Sequence, residues 1–360
     1  MQPQFDIQLS DSVTAQRREK ALQNPGFGVH FTDHMAVVEW DSEQGWHNAA
    51  VTPYAPLQMD PAAAVLHYAQ EIFEGMKAYR QPDGGIALFR PGKNAVRFNR
   101  SAKRLALPEI PEELFLEACR QLVRADEAWV PETAYHSLYL RPFMIADEVF
   151  LGVRAAQRAR FIVIACPAGD YFPGGVKPLD LWLSTKMTRA AAGGTGFAKC
   201  GGNYAGSLAA TTEAYENGCQ QVLFTDAYDR DSIDELGGMN LFLVTDDNKL
   251  ITPEVNGNIL EGVTRDSIIQ LAKNLGYEVA ERRVTISEWR EGAATGAIRE
   301  AFACGTAAVV APIGRLLVKD APEIKLPEPT GTITMQLREE LMGIQHGTIS
   351  DTNGWLERIS

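Results

Sequence analysis

Residues 193–204 read GGTGFAKCGGNY, with one lysine, Lys199, set among five glycines. Glycine at that density marks backbone that turns sharply or approaches something closely. A lysine in such company points to a phosphate, a nucleotide or a covalently held carbonyl, and each implies a different fold. A nucleotide P-loop needs G-x-x-x-x-G-K-[ST], because the last glycine lets the backbone wrap the phosphates and the hydroxyl holds magnesium. Here Ala198 precedes Lys199 and Cys200 follows it, so both positions fail. G-x-G-x-x-G fails too, since Gly194 and Gly196 would require glycine at Lys199. An isolated loop lysine is ordinarily solvated, so the decision rests on residues further along the chain.

Composition narrows the field. The chain has 360 residues, 45% apolar and 22% charged, enough for a substantial soluble core and about two domains. A net charge of −12 argues against nucleic acid as a partner but not against small anionic substrates, because a few converging arginines set the field within a pocket. The amino-terminal stretch lacks the order of a signal peptide. No apolar run approaches the ~20 residues a membrane span needs. Cys119, Cys166, Cys200, Cys219 and Cys304 are odd in number and scattered, which reads as reduced thiols of a cytoplasmic protein. The six histidines show no ligand spacing, so no metal is expected.

Strands are expected at 35–40, 85–89, 137–145 and 160–167, with helices over 61–79 and 111–129. The Gly- and Pro-rich DYFPGGVKP lies in an expected linker, 170–180, between domains at 1–169 and 181–360. Beyond it come a strand at 181–185, a helix over 204–216, the strands QVLF and LFLVT, a helix over 264–275, and apolar segments at 297–313. Interleaved strands and helices make the class α/β, mixed with α+β.

A deprotonated lysine can form a Schiff base with a carbonyl cofactor. Pyridoxal phosphate (PLP) then needs an acid for its ring nitrogen, a donor for its phenolate and an anion site for its phosphate. Tyr204 is a candidate donor, and Glu235, in DELGGMN, a candidate acid. For the phosphate, Gly262 stands ahead of an expected helix whose first N–H groups bind anions. Gly305-Thr306-Ala307 supplies another turn of amides, and Arg97 a charge-assisted contact. Each also has a plainer reading: Gly262 as a loop glycine, Arg97 as a surface helix residue.

The motifs FGVHFTDHMAVVEW, HYAQEIFEGMKAYR, SLYLRPF, CPAGDYFPGG, DELGGMN, NGNILEGVTR and FACGTAAVVAP, in this order, resemble the branched-chain amino acid aminotransferases of the class IV PLP family over nearly the whole chain. D-amino-acid aminotransferases and aminodeoxychorismate lyases share the lysine and glutamate but lack the F-E-G-M-K-A and S-L-Y-L-R-P context. The resemblance implies a two-domain fold-type IV enzyme with a smaller amino-terminal domain and the cofactor at the domain interface. Lys199 would be the Schiff-base lysine and proton shuttle, Tyr204 would meet the phenolate and Glu235 the ring nitrogen. Arg97, Val263, Thr264 and Thr306 would surround the phosphate, with Arg189 and Leu260 lining the cofactor site.

The resemblance also implies a substrate pocket. Phe27, Phe73, Tyr139 and Tyr171 would form an apolar wall, and Thr306 and Ala307 would offer amides to the α-carboxylate. Arg141 would pair the second carboxylate of glutamate. Tyr68, Leu151 and Val153 match positions contributed by a second subunit, so a homodimer is expected. The implied reaction is ping-pong transamination of leucine, isoleucine and valine with 2-oxoglutarate, PLP cycling with pyridoxamine 5′-phosphate. Two departures stand out: Ala308 and Ala311 replace the C-x-x-C pair of mammalian relatives, and Gly238 replaces a threonine often found near the phosphate.

Overall fold

Apolar runs in the first half of the chain pair into one largely antiparallel sheet. A computed structural model describes residues 3–10, 15–172 and 174–359; Pro173, inside the expected linker, lies outside them. The strands lie in the order Asp6–Ile7, Gly45–Pro53, His34–Asp41, Arg158–Ala168, Ser137–Ala146, Met76–Arg80, Ile86–Phe89 and Leu356–Arg358. Glu71–Phe73 adds a ninth strand beside Ser137–Ala146. Helices Pro91–Arg104 and Glu112–Ala125 bring Phe98 and Phe115 onto Phe161, with ring centroids 5.2–5.4 Å apart. Offset aromatic contacts of this kind add to the burial of the rings themselves. Pro111 opens the second helix and Glu112 and Glu113 fill its first turn, where negative charge is favoured.

The expected helix over 61–79 forms only at Ala64–Tyr68. Ala69 takes the left-handed conformation (φ 47°) and ends it, and the chain continues as the strands Glu71–Phe73 and Met76–Arg80. Met76–Arg80 is hydrogen-bonded on both edges, to Ser137–Ala146 and to Ile86–Phe89. Sheet pairing on both sides overrides the helix preference of an Ala-rich run.

The later strands form a second nine-stranded sheet among the described residues. Its order is Ile233–Leu236, Gln221–Thr225, Leu179–Leu183, Val309–Leu317, Ile298–Gly305, Asn240–Thr245, Leu250–Thr252 and Val279–Glu281, with Ile324–Lys325 beside Val309–Leu317. Leu179–Leu183 runs parallel to both neighbours, whereas the apolar residues of 297–313 fold as an antiparallel hairpin turning at Thr306. Helices Gly201–Glu216, Val263–Asn274, Ile286–Thr295 and Thr332–Gln345 accompany this part of the chain. Among the described residues no helix is long and apolar enough to cross a membrane.

The chain forms two compact units, but not by one cut near 170–180. The first takes residues up to Asp170, then Ala198–Gly201 and everything from Gly343; the second takes Tyr171–Phe197 and Gly202–Met342. Leu356–Arg358 joins the first unit because it pairs with Ile86–Phe89. Ala198–Gly201 joins it through bonds to Glu71, Phe73 and Ser101. Lys199 therefore belongs to the first unit, where the sequence reading places it in the carboxy-terminal domain.

Candidate active site

Within the first unit, the backbone of Lys199 is fixed on both sides. Its N–H donates to Ser101 Oγ (2.9 Å), and its carbonyl accepts from the N–H of Phe73 (3.0 Å). The N–H of Gly201 donates to Glu71, whose carboxyl burial pushes up against the pull of that N–H and of Arg141. The loop is thus stitched to the edge strand Glu71–Phe73, and Lys199 Nζ stands 4.9 Å from the centre of the Phe73 ring. The Arg141 guanidinium lies over the same ring at 4.8 Å and over Tyr139 at 5.4 Å, and Arg141 Nη2 donates to Tyr139 Oη (3.1 Å). Phe27 meets Tyr139 edge-on at 5.0 Å. Phe27, Phe73, Tyr139, Arg141 and Lys199 are thus neighbours: an apolar wall with a guanidinium and an amine along it. A Cβ on Gly75 would lie 2.1 Å from Tyr139 Oη, so only glycine lets that ring sit there.

Arg97 is buried rather than on the surface of its helix. It grips the fully buried Glu74 with two bonds, Nε to Oε1 at 2.7 Å and Nη2 to Oε2 at 2.8 Å. Asn94 Nδ2 (2.8 Å) and the Gly75 N–H (3.1 Å) donate to the same carboxylate. Burial opposes the Glu74 anion, but Arg97, Lys199 and Asn94 outweigh it and hold the carboxyl below the usual glutamate range. Tyr68 and Leu151 are joined by a bond from the tyrosine hydroxyl to the leucine carbonyl. With Val153 they are open to solvent, 40%, 59% and 86% exposed.

The second unit gathers the remaining candidates. Glu235, buried in the strand Ile233–Leu236, is paired with Arg189 and accepts from the Leu260 N–H (2.8 Å) and from Asn240 Nδ2 (3.3 Å). Asn240 Nδ2 also donates to the Leu260 carbonyl (3.0 Å), tying strand to loop. Arg189 Nη2 is shared with the carbonyls of Gly196 (3.0 Å) and Asn258 (2.6 Å). A Cβ on Gly196 would fall 2.3 Å from that Asn258 oxygen, which is why the loop needs glycine there. Thr195 and Asn203 bond reciprocally at 2.6 and 2.8 Å, closing the loop ahead of Tyr204. Gly238 is beside Tyr204; a Cβ there would meet its ring at 3.7 Å.

Gly262 caps the helix Val263–Asn274, as the sequence suggests. First-turn N–H groups have no intrahelical acceptor and favour an anion. Thr306, Ala307 and Ala308 form the turn of the hairpin, directly before Val309, whose φ of 62° is a left-handed conformation rare for a β-branched residue. Such a residue costs about 1–3 kcal/mol and persists only if its surroundings impose it. Here the buried Arg338 imposes it, Nη1 donating to the carbonyls on either side, Ala308 (2.8 Å) and Val310 (2.7 Å). Tyr171 stands edge-on to Phe172 at 4.9 Å.

These residues fit the group that the sequence suggests. The first unit offers a lysine packed on an aromatic ring, suited to an aldehyde, and the second by itself offers a buried carboxylate gripped by three donors and a glycine-capped helix, suited to a pyridinium and a phosphate. Among the described residues no cluster of His, Cys, Asp and Glu could hold a metal ion.

A family model described as amino-transferase class IV matches residues 71–316. The chain belongs to the class IV aminotransferases. It is 53% identical to a probable branched-chain-amino-acid aminotransferase of Streptomyces coelicolor over 98% of this chain and 96% of that one. It is 52% identical to the branched-chain-amino-acid aminotransferase of Mycolicibacterium smegmatis, covering 95% and 94%. Among solved structures it is similar to the branched-chain amino acid aminotransferase of Escherichia coli (TM-score 0.75, 28% identity, 91% and 100% covered). It is also similar to a T.th. branched-chain amino acid aminotransferase with pyridoxamine 5′-phosphate (TM-score 0.74, 32% identity, 90% and 99% covered). The family match in this aminotransferase runs from the edge strand Glu71–Phe73 into the strand Val309–Leu317, and so takes in Lys199, Tyr204, Glu235 and the Thr306 turn.

Reading from sequence missed Glu74, Ser101, Asn240, Asn258 and Arg338. The signal for Glu74 was present: a carboxylate inside the apolar run IFEGM has to be paired if that run is buried.

Proposed function

We propose that this chain catalyses the reversible, PLP-dependent transamination of leucine, isoleucine and valine with 2-oxoglutarate. The observation that carries the reading is the fixed Lys199 with its Nζ on Phe73, beside Tyr139 and Arg141. When bound, the cofactor supplies an aldehyde carbon that accepts an amino group and a ring that withdraws electrons from the substrate's α-carbon.

Lys199 Nζ is the group that would hold the aldehyde carbon and then remove and return the substrate's α-proton, one positioned base serving both half-reactions. Glu235 would keep the ring nitrogen protonated, its own orientation fixed by Arg189, Asn240 and the Leu260 N–H. Tyr204 would donate to the phenolate. Arg97, Val263, Thr264 and Thr306 would hold the phosphate, and Arg97 arrives with Glu74 fixing its orientation. The Thr306–Ala307 amides, kept in place by Arg338, would receive the α-carboxylate.

Phe27, Phe73 and Tyr139 suit a branched aliphatic side chain. Arg141 gives the wall a cation for the second carboxylate of glutamate, while a cation over two rings remains compatible with leucine. Tyr171, edge-on to Phe172 in the second unit, would be a further apolar contact for such a side chain. We further propose a homodimer that covers Tyr68, Leu151 and Val153, supported by their exposure. A cytoplasmic location is supported by five buried, unpaired cysteines.

The deciding experiment is a spectrum of the purified protein loaded with PLP. The visible band of the bound cofactor should bleach on adding L-leucine and return on adding 2-oxoglutarate. A protein that shows no band after loading, or whose band ignores L-leucine, does not carry out this reaction.

A further inference from the structure

Asp234 has no part in the reading above, yet it is 2% exposed and neither carboxylate oxygen receives a hydrogen bond of ordinary geometry. Successive side chains of a strand point to opposite faces, so Asp234 and Glu235 lie on opposite sides of Ile233–Leu236. The groups facing Asp234 come from three places. Asp226 stands at the end of the strand Gln221–Thr225, Arg189 ahead of the glycine loop, and Asn256 and Asn258 in the loop before the helix at Val263. On the outside of the same turn, Arg283 is engaged with Asp229 and Ser232.

Asn258 links this group to the ring-side carboxylate. Its Nδ2 donates to Asp226 Oδ2 (3.2 Å), and its carbonyl accepts from Arg189 Nη2 (2.6 Å), the nitrogen that holds Glu235. Asn256 Oδ1 in turn accepts from the Asn258 N–H (3.0 Å), fixing the linking residue. We propose that Asp234 is a positioning residue for Glu235. Its gain or loss of a proton, set against Asp226, changes the hold of Arg189 on Glu235 and so the grip of Glu235 on the ring nitrogen. The inference rests on the reading of Glu235 as partner of that nitrogen.

The electrostatic direction follows from the placement. Burial, then the Asp226 charge, push the Asp234 carboxyl up to about 6, against the pull of Asn256, Arg189 and Asn258. When Asp234 is ionised, its charge offsets part of the Arg189 field at Glu235, which then holds a shared proton more tightly. When Asp234 is protonated, Arg189 acts on Glu235 alone and the ring nitrogen is held less firmly.

The test uses full-length wild type, Asp234→Asn and Asp226→Asn. The first arm follows urea unfolding of the cofactor-free proteins between pH 5 and 8. A carboxyl raised in the fold stabilises below its unfolded pKa, and that stability is lost as pH rises through the folded value. Wild type should therefore lose stability relative to Asp234→Asn as pH passes about 6. The second arm follows the absorbance of the PLP-loaded proteins over the same range. Wild type should show a spectral transition near pH 6, Asp234→Asn should lack it, and Asp226→Asn should move it to lower pH. A flat stability difference in the first arm overturns the buried acid itself. A stability difference without the spectral transition overturns the coupling to Glu235 alone. A protein that takes up no PLP overturns the functional reading and the coupling with it, leaving the first arm to report on the acid.

Discussion

Glu74→Gln removes one charge from a buried ion pair of the first unit and leaves its shape intact. Glutamine can accept at one end of its amide only, and the other end presents N–H groups to Arg97 or to Asn94, both donors here. The variant thus loses a charge-assisted bond, opposes two donors and leaves Arg97 without its counter-charge at 5% exposure. Breaking one side of a buried pair costs about 3–5 kcal/mol. With about 2–4 °C per kcal/mol for a unit of this size, the melting midpoint should fall by about 10 °C. Urea unfolding of the cofactor-free protein measures the loss directly. Glu74→Gln combined with Arg97→Met should recover part of it, because a neutral, packed pair no longer strands a charge. The sign with pH is also fixed. A carboxyl held low by its partners stabilises above its unfolded pKa and loses that contribution as pH falls through the folded value. The gap between wild type and variant should therefore narrow in acid. A loss under about 1 kcal/mol, or a double variant no better than the single one, would show that Arg97 does not depend on Glu74.

Four further outcomes are expected. Lys199→Ala should abolish turnover and the visible band of the bound cofactor while the fold persists by circular dichroism. Glu235→Gln should retain cofactor, as judged by co-purifying PLP, but slow transamination on the order of 100-fold or more in single-turnover kinetics. Arg141→Ala should weaken the glutamate half-reaction by about 10- to 100-fold, the worth of one charged contact, and the leucine half-reaction far less; equal losses would give Arg141 a structural role. Arg338→Met should cost about 2 kcal/mol by stranding two buried carbonyls and should raise the KM for both amino acids by loosening the Thr306–Ala307 turn; an unchanged KM would separate the clamp from substrate binding.

Strands such as Ser137–Ala146 and Arg158–Ala168 are legible because long apolar, β-branched and aromatic runs admit few alternatives. The start of Val263–Asn274 is legible because glycine ahead of an apolar helical period leaves one place for the cap. The run 61–79 is not, since its strand character comes from partners far away in sequence at 137–146 and 86–89. The same holds for the candidate residues of each unit. Lys199, Tyr204 and Glu235 can be proposed from the short motifs they stand in, whereas Ser101, Asn258 and Arg338 enter only through partners 98, 69 and 28–30 residues away. Thr332–Gln345 likewise depends on Glu300, a buried carboxylate from a distant strand that accepts from the N–H groups of Ile333 and Thr334.

The scattered make-up of the first unit bears on how the protein is made. Its sheet closes with Leu356–Arg358, which pairs with a strand from far earlier in the chain, and its lysine loop is borrowed from midway between the two. No uninterrupted stretch of the chain forms this unit, so a fragment ending at Asp170 lacks both an edge strand and Lys199. The first sheet therefore cannot finish folding before Leu356–Arg358 has been made, and a truncation ahead of Leu356 leaves the edge of Ile86–Phe89 unpaired.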